Sequence, residues 1–283
     1  MDPIIAGGLA KAADANANES AKVASNLLIR LLGPAADEYG EQLRQAVGRQ
    51  RATRAARILS KAEAKSRGRT GSVPPRVAYR VLEDGTLSDD ELMAEYLSGV
   101  LASSRTPSGR DDRAVTWSSL IGRMSSLQLR AHYVLYREWA IKLAGRDDIN
   151  LGDVDQRDNA RMVLDLEEFI DTVQDEAEPL PKNELLSHAV WGLTEHGLIA
   201  KFQYGSTADL KRQELPFKYI IEARPTVVGV ELWGWAAGRV GTVKDFVVDP
   251  PKLEVDAPIP RPSVLFPTLP ARVISHDDDA PDA

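Results

Sequence analysis

The sequence predicts a mainly helical protein with one small α+β module in its C-terminal half and a disordered, proline-rich tail. Three observations carry that expectation. Apolar residues recur at helical spacing through much of the chain before Gly197. Just beyond Gly197 the pattern changes to two short strand-like runs, "LIAKF" and "FKYIIEA". From Asp249 onward the chain holds eight of its seventeen prolines, a composition that cannot close a packed core.

The elements follow in order. Val23, Leu27 and Leu31 recur every four residues with Leu28 and Leu32 beside them, which gives a broad apolar helix face. Gly33-Pro34 ends that helix and starts a second, over about 35–66. On it Arg54, Arg57, Lys61 and Lys65 fall along one side. "GRTGSVPP" at 68–75 is a loop. Ser88 with Glu91 forms a capping-box signature before the continuous stripe Leu92, Met93, Tyr96, Leu97, Val100 and Leu101. Trp117, Leu120, Ile121 and Met124 make a short helix. A second capping box, Ser125 with Gln128, opens a helix lined by Leu127, Ala131, Leu135, Trp139 and Leu143. A helix over about 160–174 contains Val163, Leu166 and Ile170, and another spans about 182–196. Gly197 supplies the left-handed residue that ends it, and Leu198 is placed to fold back on the last turn. Two strands follow, separated by the loop "QYGSTADLKRQELP", and "RPTVVGVELWGWAAG" closes as a helix with Pro225 near its start. The order helix, helix, helix, strand, loop, strand, helix is that of a winged-helix-like module. The expected divisions are 1–75, helical with the basic helix; 76–124, helical; 125–245, winged-helix-like; and 246–283, the acidic proline-rich tail.

Composition narrows the chemistry. Hydrophobic residues at 43% and charged residues at 27% match a globular protein. With no cysteine, disulfides, thiolate metal sites and cysteine nucleophiles are excluded. His132, His188, His196 and His276 lack metal-ligand spacing, so no metal is expected. No secretory signal is visible, and no apolar run approaches the ~20 residues needed to cross a bilayer. The expected location is therefore cytoplasmic. The net charge of −7 hides an asymmetry: Glu41 to Arg80 holds eleven Lys and Arg against Glu41 and Glu63.

Four segments, "LLGPAADEYGEQLRQAV", "LSDDELMAEYLSGVLASS", "LIGRMSSLQLRAHYVLY" and "LTEHGLIAKF…YIIEARPTVVGVELWGW", resemble in order and character the Abi-alpha (abortive infection alpha) family. The likeness covers roughly residues 30–240. It implies a bacterial or prophage protein tied to phage exclusion. It brings no catalytic residue and no cofactor.

Base reading by a winged helix favours Arg, Lys, Asn and Gln near the start of the third helix. The outward positions expected here are Lys182, Asn183, Glu184, Ser187, His188, Trp191 and Glu195. Two carboxylates and no arginine favour packing against protein. The candidate phosphate or nucleic-acid contacts are Arg44, Arg51, Arg54, Arg57, Lys61 and Lys65 on the basic helix, with Lys201, Lys211 and Arg212 around the wing. Solvated cations paired with acidic neighbours account for the same pattern. Nucleotide-binding glycine loops and His-Glu-x-x-His are missing, and no cofactor or enzymatic activity is expected. The function expected is phage exclusion through binding, to a protein partner or by self-association. A prophage transcriptional regulator that binds DNA and a membrane-surface effector built on the N-terminal apolar stretch are the alternatives.

Overall fold

The computed structural model describes residues 22, 49–66, 68–174 and 178–271. The chain divides into two compact units. One comprises residues 1–130, 232–240 and 251–259; the other comprises 131–231, 241–250 and 260–283. These limits differ from the divisions expected at 75/76, 124/125 and 245/246.

In the first unit α1 (Arg49–Lys65), α2 (Pro75–Leu87), α3 (Glu91–Ser103) and α4 (Ala114–Ile121) pack as helices. Ala52, Ala55, Ile58, Leu59 and Ala62 form the buried face of α1. All of α3 after Glu91 is buried, so a helix apolar almost all round lies at the centre. Its N-cap corrects the expectation at Ser88. Asp90 holds that position and accepts from Met93 N at 2.6 Å, while Ser88 Oγ accepts from Asp90 N. A carboxylate suits the positive helix N-terminus better than a hydroxyl does. Residues 232–236 approach α3 closely: a Cβ on Gly99 would lie 1.6 Å from the Ala236 carbonyl oxygen.

α5 (Ser126–Leu143) starts among the first unit's residues; from Ala131 it belongs to the second unit and is almost wholly buried as far as Ala140. The expected box at its start is present: Gln128 N donates to Ser125 Oγ at 3.2 Å and Ser125 N to Gln128 Oε1 at 3.0 Å. Then come α6 (Val154–Asn159), β1 (Met162–Asp165), α7 (Leu166–Val173) and one continuous helix in three parts. Those parts are α8 (Lys182–Leu186), a π-helical turn (Ser187–Trp191) and α9 (Gly192–Glu195). Next are β2 (Ile199–Ser206), β3 (Tyr219–Pro225), α10 (Val227–Ala236), which crosses into the first unit's residues, α11 (Val243–Val248) and β4 (Val264–Leu265).

The helix expected over about 160–174 is corrected at its start. Met162, Val163 and Leu164 are strand residues, paired with β3 on one side and β4 on the other. The helix begins only at Leu166, because Asp165 caps it by accepting from Glu167 N and Glu168 N, each at 3.0 Å. All pairs are antiparallel, in the order β2-β3-β1-β4. The register of β2 on β3 shifts between Ala200 and Gln203, and Lys201 there takes φ +48°.

The disordered tail is also corrected, as far as Ala271. Leu253 is buried in the first unit. In the second, Arg261 grips the buried Glu138 bidentately, at 2.6–3.2 Å, and Arg137 donates to the Pro260 carbonyl. β4 then lies on the outer edge of β1. Proline fixes an extended backbone that needs few internal hydrogen bonds, so charged latches can hold it without a core. Arg261→Ala is expected to loosen this strap and raise chymotryptic cleavage near Leu265 and Phe266 several-fold, read by mass spectrometry of timed digests.

Tyr136 ties three elements of the second unit. Its hydroxyl donates to the Leu198 carbonyl at 2.5 Å and accepts from Thr226 N at 3.1 Å. Burial pushes the phenol well above its usual range. Gly229 permits this: a Cβ there would meet Tyr136 Oη at 1.9 Å and the Leu198 oxygen at 2.5 Å. Gly229→Ala is expected to cost about 2–4 kcal/mol in urea unfolding, from overpacking and the displaced hydroxyl.

Candidate docking face

The helix of residues 182–195 buries Leu185, Leu186, Ala189, Val190 and Leu193. Its other side exposes all seven residues expected to point outward: Lys182, Asn183, Glu184, Ser187, His188, Trp191 and Glu195. The ending is the one its glycine requires. Gly197 has φ +68°, its N–H donates to the Thr194 carbonyl at 2.9 Å, and Leu198 N reaches the Leu193 carbonyl at 2.8 Å. Leu198 is fully buried, which draws the chain straight into β2.

That turn sets an aromatic cluster. Trp191 is 49% exposed, an unusual placement for so large an apolar ring. It meets Phe202 of β2 at right angles with centroids 5.5 Å apart, and Phe202 stacks on Tyr204 at 5.5 Å. Phe202 and Tyr204 were not among the candidate residues. Their i, i+2 spacing in a strand, which places both on one side, was the available signal.

The β2–β3 hairpin is fastened by a buried carboxylate. Glu222, fully buried on β3, accepts from Arg161 at 3.0 Å, Arg212 at 2.8 Å and Gln203 at 3.0 Å. A carboxylate inside the apolar run "YIIEA" was the sequence mark of this hub. Arg212 is thus turned inward as a tether of the loop after β2. Lys201 is exposed and pairs with Asp158, whose carboxyl the ammonium holds below its usual value. Lys211 is exposed with φ +55°, and Lys182 pairs with Glu167.

The basic helix is not a free cationic stripe. Arg54 donates to the Thr86 carbonyl at 3.2 Å and pairs with Asp89. Lys61 pairs with Glu95 at 3.2 Å and Asp256 at 3.0 Å. Lys65 reaches Glu95 Oε1 at 2.6 Å and the carbonyls of Glu95 and Ala236, each at 2.9 Å. Arg57 is half-buried, Arg51 is exposed, and Arg44 lies outside the described residues, as does the N-terminal stretch proposed to meet a membrane. Lys61, Lys65 and Glu95 line a cleft of about 320 Å³ with Lys252, Glu254 and Asp256. Burial lowers the pKa of Lys65, but three acceptors occupy its three donors and hold its proton in a structural role.

Among the described residues no helix is long and apolar enough to cross a membrane. No family model, curated protein or solved structure matches the chain.

Proposed function

We propose that this chain is a phage-exclusion protein that works by docking another protein, and that its second unit is a winged-helix module turned to that use. Support for the winged helix is the order helix, strand, helix, helix, strand, strand, with β3 between β2 and β1. The setting, phage exclusion, comes from the ordered resemblance of four segments to the Abi-alpha family; the cytoplasm is the location expected from the sequence, which shows no secretory signal and no long apolar run. One observation carries the docking: a half-exposed Trp191, braced on Phe202 and Tyr204, stands on the face a DNA reader would furnish with arginine. Exposed tryptophans of this kind anchor protein interfaces, where truncation commonly costs 2 kcal/mol or more, about 30-fold in affinity.

Trp191→Ala is therefore expected to remove protection when phage are plated on cells with and without the protein. Because the ring is half in solvent, circular dichroism and the unfolding midpoint should change little. Full protection by a stably expressed variant would sink the docking reading.

Lys211, exposed on the loop after β2, favours a second reading, a prophage regulator that contacts DNA. A gel shift on its own promoter region separates the two. Sequence-specific retention at about 200 mM salt would support the regulator, and loss at that salt marks simple charge attraction.

A further inference from the structure

We infer that the docking face accepts a basic segment of its partner, with a lysine or arginine seated on Trp191 between Glu184 and Glu195. This rests on the docking reading above and names the chemistry of what docks. Glu184, His188, Trp191 and Glu195 are all exposed, on the side of the helix opposite the buried Leu185, Leu186, Ala189, Val190 and Leu193. A carboxylate thus stands about two turns before the indole and another about one turn after it. Among the described residues neither carboxylate forms an ion pair within the protein, whereas nearby Lys182 is already engaged by Glu167. The indole gives a cation an electron-rich face, and flanking carboxylates strengthen that attraction while excluding anions such as phosphate.

The helix itself gives Glu195 no reason to be there. It lies in the last turn, where backbone carbonyls converge and a negative charge is disfavoured. A neutral apolar partner would gain from Trp191 alone and would meet the two carboxylates at a desolvation cost. A basic segment uses all three groups.

The test uses the full chain and a fluorescein-labelled nona-arginine peptide, followed by anisotropy at about 0.15 M salt, with nona-glutamate as the opposite-charge control. Trp191→Ala and the pair Glu184→Gln with Glu195→Gln should each weaken nona-arginine binding about tenfold. The pair Asp112→Asn with Asp147→Asn, two exposed carboxylates elsewhere, changes net charge equally and should leave affinity within about twofold. Equal loss in that control pair, or undiminished binding in the first two variants, would overturn the inference. Phage plating separates this failure from that of the docking reading. Protection lost in Trp191→Ala but kept in the Glu184, Glu195 pair leaves a docking face without basic preference, while protection kept in both removes the face itself.

Discussion

Glu95→Ala is expected to destabilise the first unit by about 3–5 kcal/mol at pH 7, measured by urea unfolding. Glu95 is 1% exposed and faces two ammonium groups, Lys61 at 3.2 Å and Lys65 at 2.6 Å, while also accepting from Glu254 N. Its removal strands two partly buried cations and one amide. The pH dependence has a definite sign. Burial already sets Lys65 below its ordinary value in the folded chain, and without Glu95 it falls further. The unfolded chain then binds more protons, so stability rises with pH towards the free lysine range. The deficit of the variant should shrink between pH 7 and 10. Adding Lys65→Met should recover part of it, since replacing both partners of a buried pair costs less than stranding one. A constant deficit across that range would mean that Lys65 keeps its proton without Glu95.

The second large effect is acid sensitivity through His132. It is fully buried on α5, stacked on Tyr136 at 4.4 Å and hydrogen-bonded to the Gly229 backbone. Burial lowers its pKa from 6.5 to about 3. Between those values the unfolded chain takes up a proton that the folded chain refuses. The stabilisation is complete above about pH 6.5 and is lost as pH falls towards 3, by about 4–5 kcal/mol in total. His132→Gln should remove this dependence. Between pH 6.5 and 4.5 the wild type should lose about 2–3 kcal/mol more than the variant in paired urea titrations. Parallel losses would show that carboxylates alone govern acid unfolding.

What the sequence made legible was local. Gly197 announced its helix end because only a residue without Cβ takes that backbone conformation readily, and Ser125 with Gln128 announced a start because both partners lie within one turn. β1 escaped because Met162, Val163 and Leu164 are buried on both sides, and such a run lacks the alternation that marks a strand. The basic helix left two readings open for another reason. Arg54, Lys61 and Lys65 find partners 30 to 195 residues away, and no periodicity reports whether such partners exist. On the candidate docking face, the outward helix positions were readable from spacing. The aromatic brace from β2 was readable only in part: the i, i+2 spacing sets Phe202 and Tyr204 on one side, but their meeting with Trp191 depends on how sharply the chain turns at Gly197.

The small sheet is bordered by β2 and by the two-residue β4, and each border is blunted by a different device. β4 lies along the outside of β1, and on β2 the register shift with its left-handed Lys201 breaks the row of backbone donors and acceptors. A straight, open border would let copies stack into ribbons as concentration climbs; a kinked, lysine-bearing one discourages it. Strand-to-strand growth from the β2 border is expected to be slow for that reason.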